Sequence, residues 1–226
     1  MIRKTIILII MFTGAVVCQM HNDLYNDIDN LKLVNVKAEA AEHHGKKGLK
    51  VAKIDGKDYS EISTTLAILE KTEFENGIIE LELSGEPAPD AGEQVRGFVG
   101  VAFRLQDTEP FKYECFYIRP TNGRADNQVR RNHSTQYISH PDYPWYRLRR
   151  ESPEMYESYA DMVPGEWIKM KIEVSGENAK LYLHGDDQPV LIVNDLKLGN
   201  SSGKIALWLH STTVAYYRNL SIIKTD

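Results

Sequence analysis

From Trp167 to the end of the chain, apolar side chains recur at every second residue in one short segment after another, and each segment stops at a turn. The run reads WIKMKIEV, a turn at Ser175-Gly176-Glu177-Asn178, KLYLHG, a turn at Asp186-Asp187, PVLIV, then GKIALWL and VAYYRNLSII. A period of two sends alternate side chains to opposite faces, as a half-buried strand requires and a helix cannot supply. Connections this short join antiparallel neighbours. Upstream, GIIELEL (77–83) alternates apolar and acidic residues in the same way, and Phe98–Arg104 and Tyr113–Arg119 are extended. Apart from a helical candidate around Tyr146–Tyr159, no amphipathic helix of ordinary length interrupts them. The pattern predicts an all-β fold, an antiparallel two-sheet jelly-roll sandwich, and excludes alternating βαβ units.

The N-terminus has a different logic. Arg3 and Lys4 precede an apolar run from Ile6 to Phe12, followed by Thr13, Gly14 and Ala15 and a cleavage region at Val16, Val17 and Cys18. That is a signal peptide over residues 1–18, and its apolar core is far shorter than the roughly 20 residues of a membrane span. Export to the periplasm, the cell surface or the medium is expected. Cys18 stands either as the lipid-bearing first residue of a lipoprotein or as the residue before ordinary cleavage, so contact with membrane is expected only through such a lipid. Residues 19–30 are Asn/Asp-rich and read as a polar tether, leaving residues 31–226 as one sandwich domain. Removing Arg3 and Lys4 leaves 27 − 2 = 25 basic against 32 acidic side chains, a formal charge of −7, which disfavours nucleic acid as a partner. Cys115 is then the sole cysteine within the domain, so no internal disulfide forms and the core must supply the stability.

The stretch WIKMKIEV…AKLYLHG…GKIALWL…YRNLSI (about 165–224) resembles the C-terminal half of concanavalin A-like and laminin-G-like jelly rolls. The whole resembles the bacterial 3-keto-disaccharide-hydrolase type of sandwich found among polysaccharide-utilisation proteins. The resemblance implies a concave sheet that faces an oligosaccharide or polysaccharide. The fold does not fix the chemistry, because lectins, glycosidases, lyases and adhesion modules share it.

Residues Tyr113–Arg150 are densest in groups that handle glycans. Aromatic rings stack on pyranose faces, while Arg, Asn, Gln and His satisfy hydroxyls and carboxylates. In Tyr113–Arg119, Phe116 and Ile118 should enter the core with Glu114, leaving Cys115, Tyr117 and Arg119 on the other face. A short strand His133–Ile138 is expected, with Gln136 inward and His133 and Tyr137 lining the groove. The candidate binding residues are Arg104, Tyr117, Arg119, Asn122, Arg131, Gln136, Trp145 and Arg147; the catalytic candidates are Glu114, His133 and Tyr137. Each has a structural alternative: Arg119 pinning a loop, the tyrosines as ordinary sheet residues, His133 as a hydrogen-bonded histidine, Trp145 as a cap on the sandwich edge. Trp167 and Trp208 fall within the strand pattern and are expected in the core. The basic cluster Arg130-Arg131 and Arg147, Arg149, Arg150 stands out in an acidic chain and hints at an anionic ligand.

The leading expectation is an exported protein that binds a glycan or glycoside in a groove on the concave sheet, with hydrolysis as its chemistry if it is catalytic; a non-catalytic module is the first alternative and a lyase the second. A glycosidase needs two carboxyls facing each other across the scissile bond, and neither Glu80, Glu82 nor Glu114 reproduces the E-x-D-x-x-E spacing of laminarinase-type relatives. A lyase acting on a uronate needs a cation or amide at the carboxylate and a base for the α-proton, types that Arg119, Asn122, Gln136, His133 and Tyr137 provide. A non-catalytic carbohydrate-binding or adhesion module needs only the aromatic and polar surface. No cofactor is implied. The fold resemblance leaves room for a structural calcium, for which Asp55/Asp58 and Asp186/Asp187 offer carboxylates without a dedicated loop spacing, and His43-His44 is not spaced for zinc.

Overall fold

The structure, a computed structural model, describes residues 18–22, 24–55, 64–92 and 95–225. The signal-peptide segment and Asp58 lie outside them. Fifteen strands run in chain order: β1 (Cys18–Asn22), β2 (Leu31–Val34), β3 (Val36–His43), β4 (Lys46–Lys53), β5 (Leu66–Phe74), β6 (Asn76–Pro87), β7 (Val99–Gln106), β8 (Lys112–Ile118), β9 (Thr135–His140), β10 (Glu157–Ser158), β11 (Ile168–Ser175), β12 (Asn178–Leu183), β13 (Leu191–Val193), β14 (Gly203–Leu209) and β15 (Thr213–Thr225). Three short helices, α1 (Pro120–Gly123), α2 (Gln128–Asn132) and α3 (Trp145–Glu151), fall between β8 and β10.

The strands form two antiparallel sheets. One follows the order β13-β12-β11-β6-β15-β4-β3, with β1 also on β15; the other follows β10-β9-β8-β7-β14-β5-β2. This is the two-sheet jelly roll that the alternation predicts. GKIALWL is β14 to the residue, because alternation and the Gly203 boundary coincide there. Residues 19–30 are not a loose tether. Residues 18–22 pair in register with β15, and two single 3-10 turns (24–26 and 28–30) follow, the first burying Leu24 completely. A paired backbone and one deep leucine hold this segment despite its polar composition.

Between the sheets lie Leu81, Leu83, Met170 and Ile172 from one side and Val101, Phe103, Phe116 and Leu207 from the other, all at most 1% exposed. Side chains of this size contribute roughly 1.5–3 kcal/mol each on burial. Tyr217 crosses this layer to donate to the Trp208 carbonyl at 2.6 Å. The β3–β4 hairpin turns on His44 (φ 48°) and Gly45 (φ 71°), the paired positive φ values of a tight two-residue turn.

Arg104 departs from its expected place. At a bulge in β7, where φ is 52°, its side chain turns into the end of the sandwich and is fully buried. It donates to the carbonyls of Glu75 (3.0 Å), Gly199 (2.6 Å) and Gly176 (2.8 Å) and to Asn76 Oδ1 (3.2 Å). A bulge re-aims one side chain, and here the re-aimed arginine gathers three loops. It is an anchor for these loops, and it is not among the residues that line the cavity beside Arg119.

Candidate functional site

Gly100 decides what the outer face of the second sheet can hold. A Cβ there would stand 2.2 Å from the Phe116 carbonyl oxygen and 2.6 Å from Tyr117 Cβ, so only glycine lets Tyr117 lie flat beside it. Tyr117 then stacks on Trp208 with ring centroids 4.7 Å apart. Trp208 is buried, as expected, but on this outer face; Trp167 is half-buried outside β11 and donates to the His43 carbonyl.

Above this floor is a cavity of about 430 Å³ lined by Arg96, Phe98, Arg119, Asn122, Arg130, His133, Trp145, Arg149 and His210. Short local devices bring these residues together. Pro120 opens α1 at the first helical position, directly after Arg119. Asn127 caps α2 by accepting from the Arg130 amide at 2.9 Å, and His133 closes that helix. On α3, Trp145 and Arg149 are four residues apart and share a face, with the guanidinium 4.8 Å from the indole centroid. The His210 amide donates to the Phe98 carbonyl at 3.0 Å, joining two strand ends.

Arg119 is 4% exposed, with its guanidinium against the rings of Phe98 (5.3 Å) and Tyr117 (5.0 Å). It donates to the His133 carbonyl (2.9 Å), Tyr117 Oη (2.8 Å) and Gln136 Oε1 (3.0 Å). Asn122 donates to the same His133 carbonyl at 3.1 Å and accepts from Arg130 Nε at 3.3 Å. Beneath His133 lies Glu157, whose side chain is 3% exposed; one oxygen is 3.2 Å from His133 Nε2, and the carboxylate accepts from Arg149 Nε at 2.9 Å and Nη2 at 2.5 Å. If Nε2 carries the proton toward Glu157, the lone pair is left on Nδ1. Burial lowers the His133 pKa, and Arg149 and Arg119 add to the lowering against the opposing pull of Glu157. Burial likewise lowers His210 and pushes the Tyr117 phenol up to about 12.

The structure thus brings Arg119, Asn122, His133 and Trp145 together at one cavity, with Tyr117 and Gln136 supporting them. Gln136 lies on the outer face beside Tyr117, not inward, and its amide is spent on Arg119 and on the Tyr137 and Tyr156 carbonyls. Tyr137 takes the opposite face: fully buried, it donates to Glu114 Oε2 at 2.6 Å and accepts from the Lys197 amide. Glu114 enters the core as its parity predicts, accepts from the Leu198 amide at 2.7 Å and has its pKa raised chiefly by burial. Glu114 and Tyr137 therefore tie β8 and β9 to the loop between β13 and β14 and do not line the cavity. Arg131 sits on Tyr159, donating to its hydroxyl at 2.7 Å, and Arg147 pairs with Glu151 at 3.0 Å and covers Tyr143; neither lines the cavity. Asp186 and Asp187 share a small surface cavity with Lys169 and Lys171, and among the described residues no group of three His, Cys, Asp or Glu side chains is placed to hold a metal ion.

Six members of the site were not singled out from the sequence for that role: Arg96, Phe98, Arg130, Arg149, Glu157 and His210. Arg130 and Arg149 stood in the basic cluster, and helical phase alone separates them from Arg131 and Arg147. Glu157 lies in a two-residue strand with no period to read.

A jelly roll with this cavity falls in the class of concanavalin-like, carbohydrate-related domains. Residues 34–223 match the family described as 3-keto-alpha-glucoside-1,2-lyase-like domain, and the chain belongs to that family. No curated protein matches in sequence. Among solved structures, a protein of unknown function with a galectin-like fold from Bacillus subtilis is similar at TM-score 0.58 and 14% identity, over 94% of this chain and 97% of that one. A putative glycosyl hydrolase from Parabacteroides distasonis is similar at TM-score 0.55 and 16% identity, over 91% and 99%. Domain 4 of AbnA, a GH43 extracellular arabinanase from Geobacillus stearothermophilus in complex with arabinotriose, is similar at TM-score 0.52 and 11% identity, over 93% of each chain. At such identities the likeness is one of fold.

Proposed function

We propose that this chain is an exported carbohydrate-active protein that binds a sugar in the cavity over Tyr117 and Trp208 and eliminates the aglycone from a keto-sugar glycoside. The observation that carries the reading is His133, a histidine with a lowered pKa held by Glu157 at the edge of a cavity ringed by guanidiniums. The family description, a lyase acting between carbons one and two of a 3-keto-α-glucoside, supplies the substrate class. In such a sugar the proton on C2 is acidic because the neighbouring C3 is a ketone. His133 takes that proton, and the charge that develops on the ketone oxygen faces Arg119, Arg130 and Arg149. The C1–O bond then breaks, C1=C2 forms, and the imidazolium returns the proton to the departing oxygen. No water is consumed.

Hydrolysis of the two-carboxylate kind is less well supported, because the described residues lining the cavity include no carboxylate and Glu157 beneath it is engaged by Arg149. Pure binding is the second reading, favoured by the exposed ring of Trp145 in the cavity lining. Export, and any lipid on Cys18, rest on residues 3–18 of the sequence.

The test is incubation of the mature protein with 3-keto-α-glucosides and with neutral and acidic oligosaccharides, read by mass spectrometry, with Arg119→Ala and His133→Gln alongside. Products that sum to the substrate mass, without oxygen from labelled water, and that fail to form with His133→Gln, are expected. Products heavier by one water would make the protein a hydrolase. Intact but retained glycans would leave a binding module.

A further inference from the structure

Two guanidiniums of the cavity lining, Arg119 and Arg130, meet no carboxylate among the described residues. Arg149 is neutralised by Glu157. The hydrogen bonds of Arg119 go to neutral acceptors, the His133 carbonyl, Tyr117 Oη and Gln136 Oε1. Those of Arg130 go to Asn122 Oδ1 and the Thr121 carbonyl, both at 3.3 Å. Neither guanidinium has a carboxylate within 4.0 Å among the described residues, although the chain carries a net charge of −5. Asn122 stands between the two: it shares the His133 carbonyl with Arg119 and receives Arg130. Arg96 lines the same cavity, and its pKa is lowered by burial and then by the charge of Arg130, so these cations sense each other. Guanidiniums gathered around one half-enclosed cavity repel one another unless an anion joins them.

We infer that the sugar bound here carries an anionic substituent, an oxyanion held between Arg119 and Arg130 beside Asn122. This rests on the cavity being the sugar site and adds to it the class of substrate. The guanidinium fork suits a carboxylate or an ester of sulfate or phosphate equally, since each offers two oxygens at one edge. The pyranose ring would lie against Phe98 and Trp145, the two aromatic rings in the lining, with its acidic group toward the arginines.

Titration calorimetry on the full mature chain, with methyl α-glucoside, its uronic acid, its sulfate ester, its phosphate ester and inorganic sulfate as probes, tests this. At least one acidic sugar should bind about tenfold or more tightly than the neutral glycoside, and added salt should narrow the difference. Arg130→Gln should bring the acidic sugars down to the affinity that the same variant shows for the neutral glycoside. Arg130→Lys should keep part of it, and His133→Gln should keep it whole. Equal affinity for neutral and acidic sugars, undisturbed by Arg130→Gln, would overturn the inference while leaving the sugar site intact. Inorganic sulfate binding as tightly as the best acidic sugar would also overturn it, reducing the feature to an anion site. Failure of every sugar to bind would overturn both the inference and the proposed function beneath it.

Discussion

His133 Nε2 stands 3.2 Å from a Glu157 carboxylate oxygen, and this close pair sets the behaviour of the site at the level of single residues. The histidine is pulled below its ordinary value by burial and by two arginines, while Glu157 raises it. Activity should therefore climb with pH along a limb below the usual histidine value of about 6.5 and reach its plateau before neutrality. Glu157→Gln removes the raising influence, so the limb should move to lower pH; a limb that stays or moves upward in a pH–rate profile would exclude His133 as the base. His133→Gln should lower turnover about 10²–10⁴-fold with little change in melting temperature. Legibility at this scale was uneven for a physical reason. Glu114 could be placed because Phe116 and Ile118 share its parity and only one face of that strand could be buried between sheets. The same reasoning failed one strand away: Ile138 suggested that Gln136 pointed inward, yet both faces of β9 are covered, so an apolar side chain there marks neither face.

Elements were read best where one face is wet. In β11 alternation survives as buried and less buried positions in turn, and the strand is found within a residue; β7 and β8 are buried on both faces, and their extended segments are found within one or two residues without alternation to mark them. The bulge in β7 was invisible because it depends on three distant loops that offer carbonyls to Arg104. Arg104→Ala leaves those acceptors and Asn76 without their donor inside a filled space. A loss of at least about 3 kcal/mol is expected, because hydrogen bonds to a charged group are worth roughly 1.5–3 kcal/mol each and are not additive. Urea unfolding measures this, and the folded fraction should bind sugar as the parent does. A variant as stable as the parent that had lost its ligand would instead return Arg104 to the site. Of the helices between β8 and β10, the candidate around Tyr146–Tyr159 catches α3, which ends at Glu151, while α1 and α2, at four and five residues, are too short for a period to develop, and Pro120 and Asn127 are their clearest signals.

Across the whole molecule, buried titratable groups of the second sheet and its loops give the fold opposing responses to pH. His133, His140 and His210 have lowered pKa values, burial being the largest cause for each. Their contribution is present above the unfolded histidine value of about 6.5 and is lost as pH falls through the depressed folded values. Glu114 is the reverse case. Its folded pKa is raised by burial, against the lowering contributed by Tyr137, Leu198, Ser139 and Arg104. Its contribution is present below the unfolded carboxylate value and is lost as pH rises through the folded one. Melting temperature should therefore fall between about pH 7 and 5 as the histidines charge, while Glu114 works the other way above about pH 4.5. The separation is made with Glu114→Gln, which still offers Tyr137 or Leu198 an acceptor and cannot ionise. Relative to the parent it should gain stability steadily as pH rises from about 4 to 8, and the shared fall below neutrality should persist in both. A difference between the two proteins that stays constant with pH would mean that Glu114 keeps one protonation state throughout, leaving the histidines to carry the whole response.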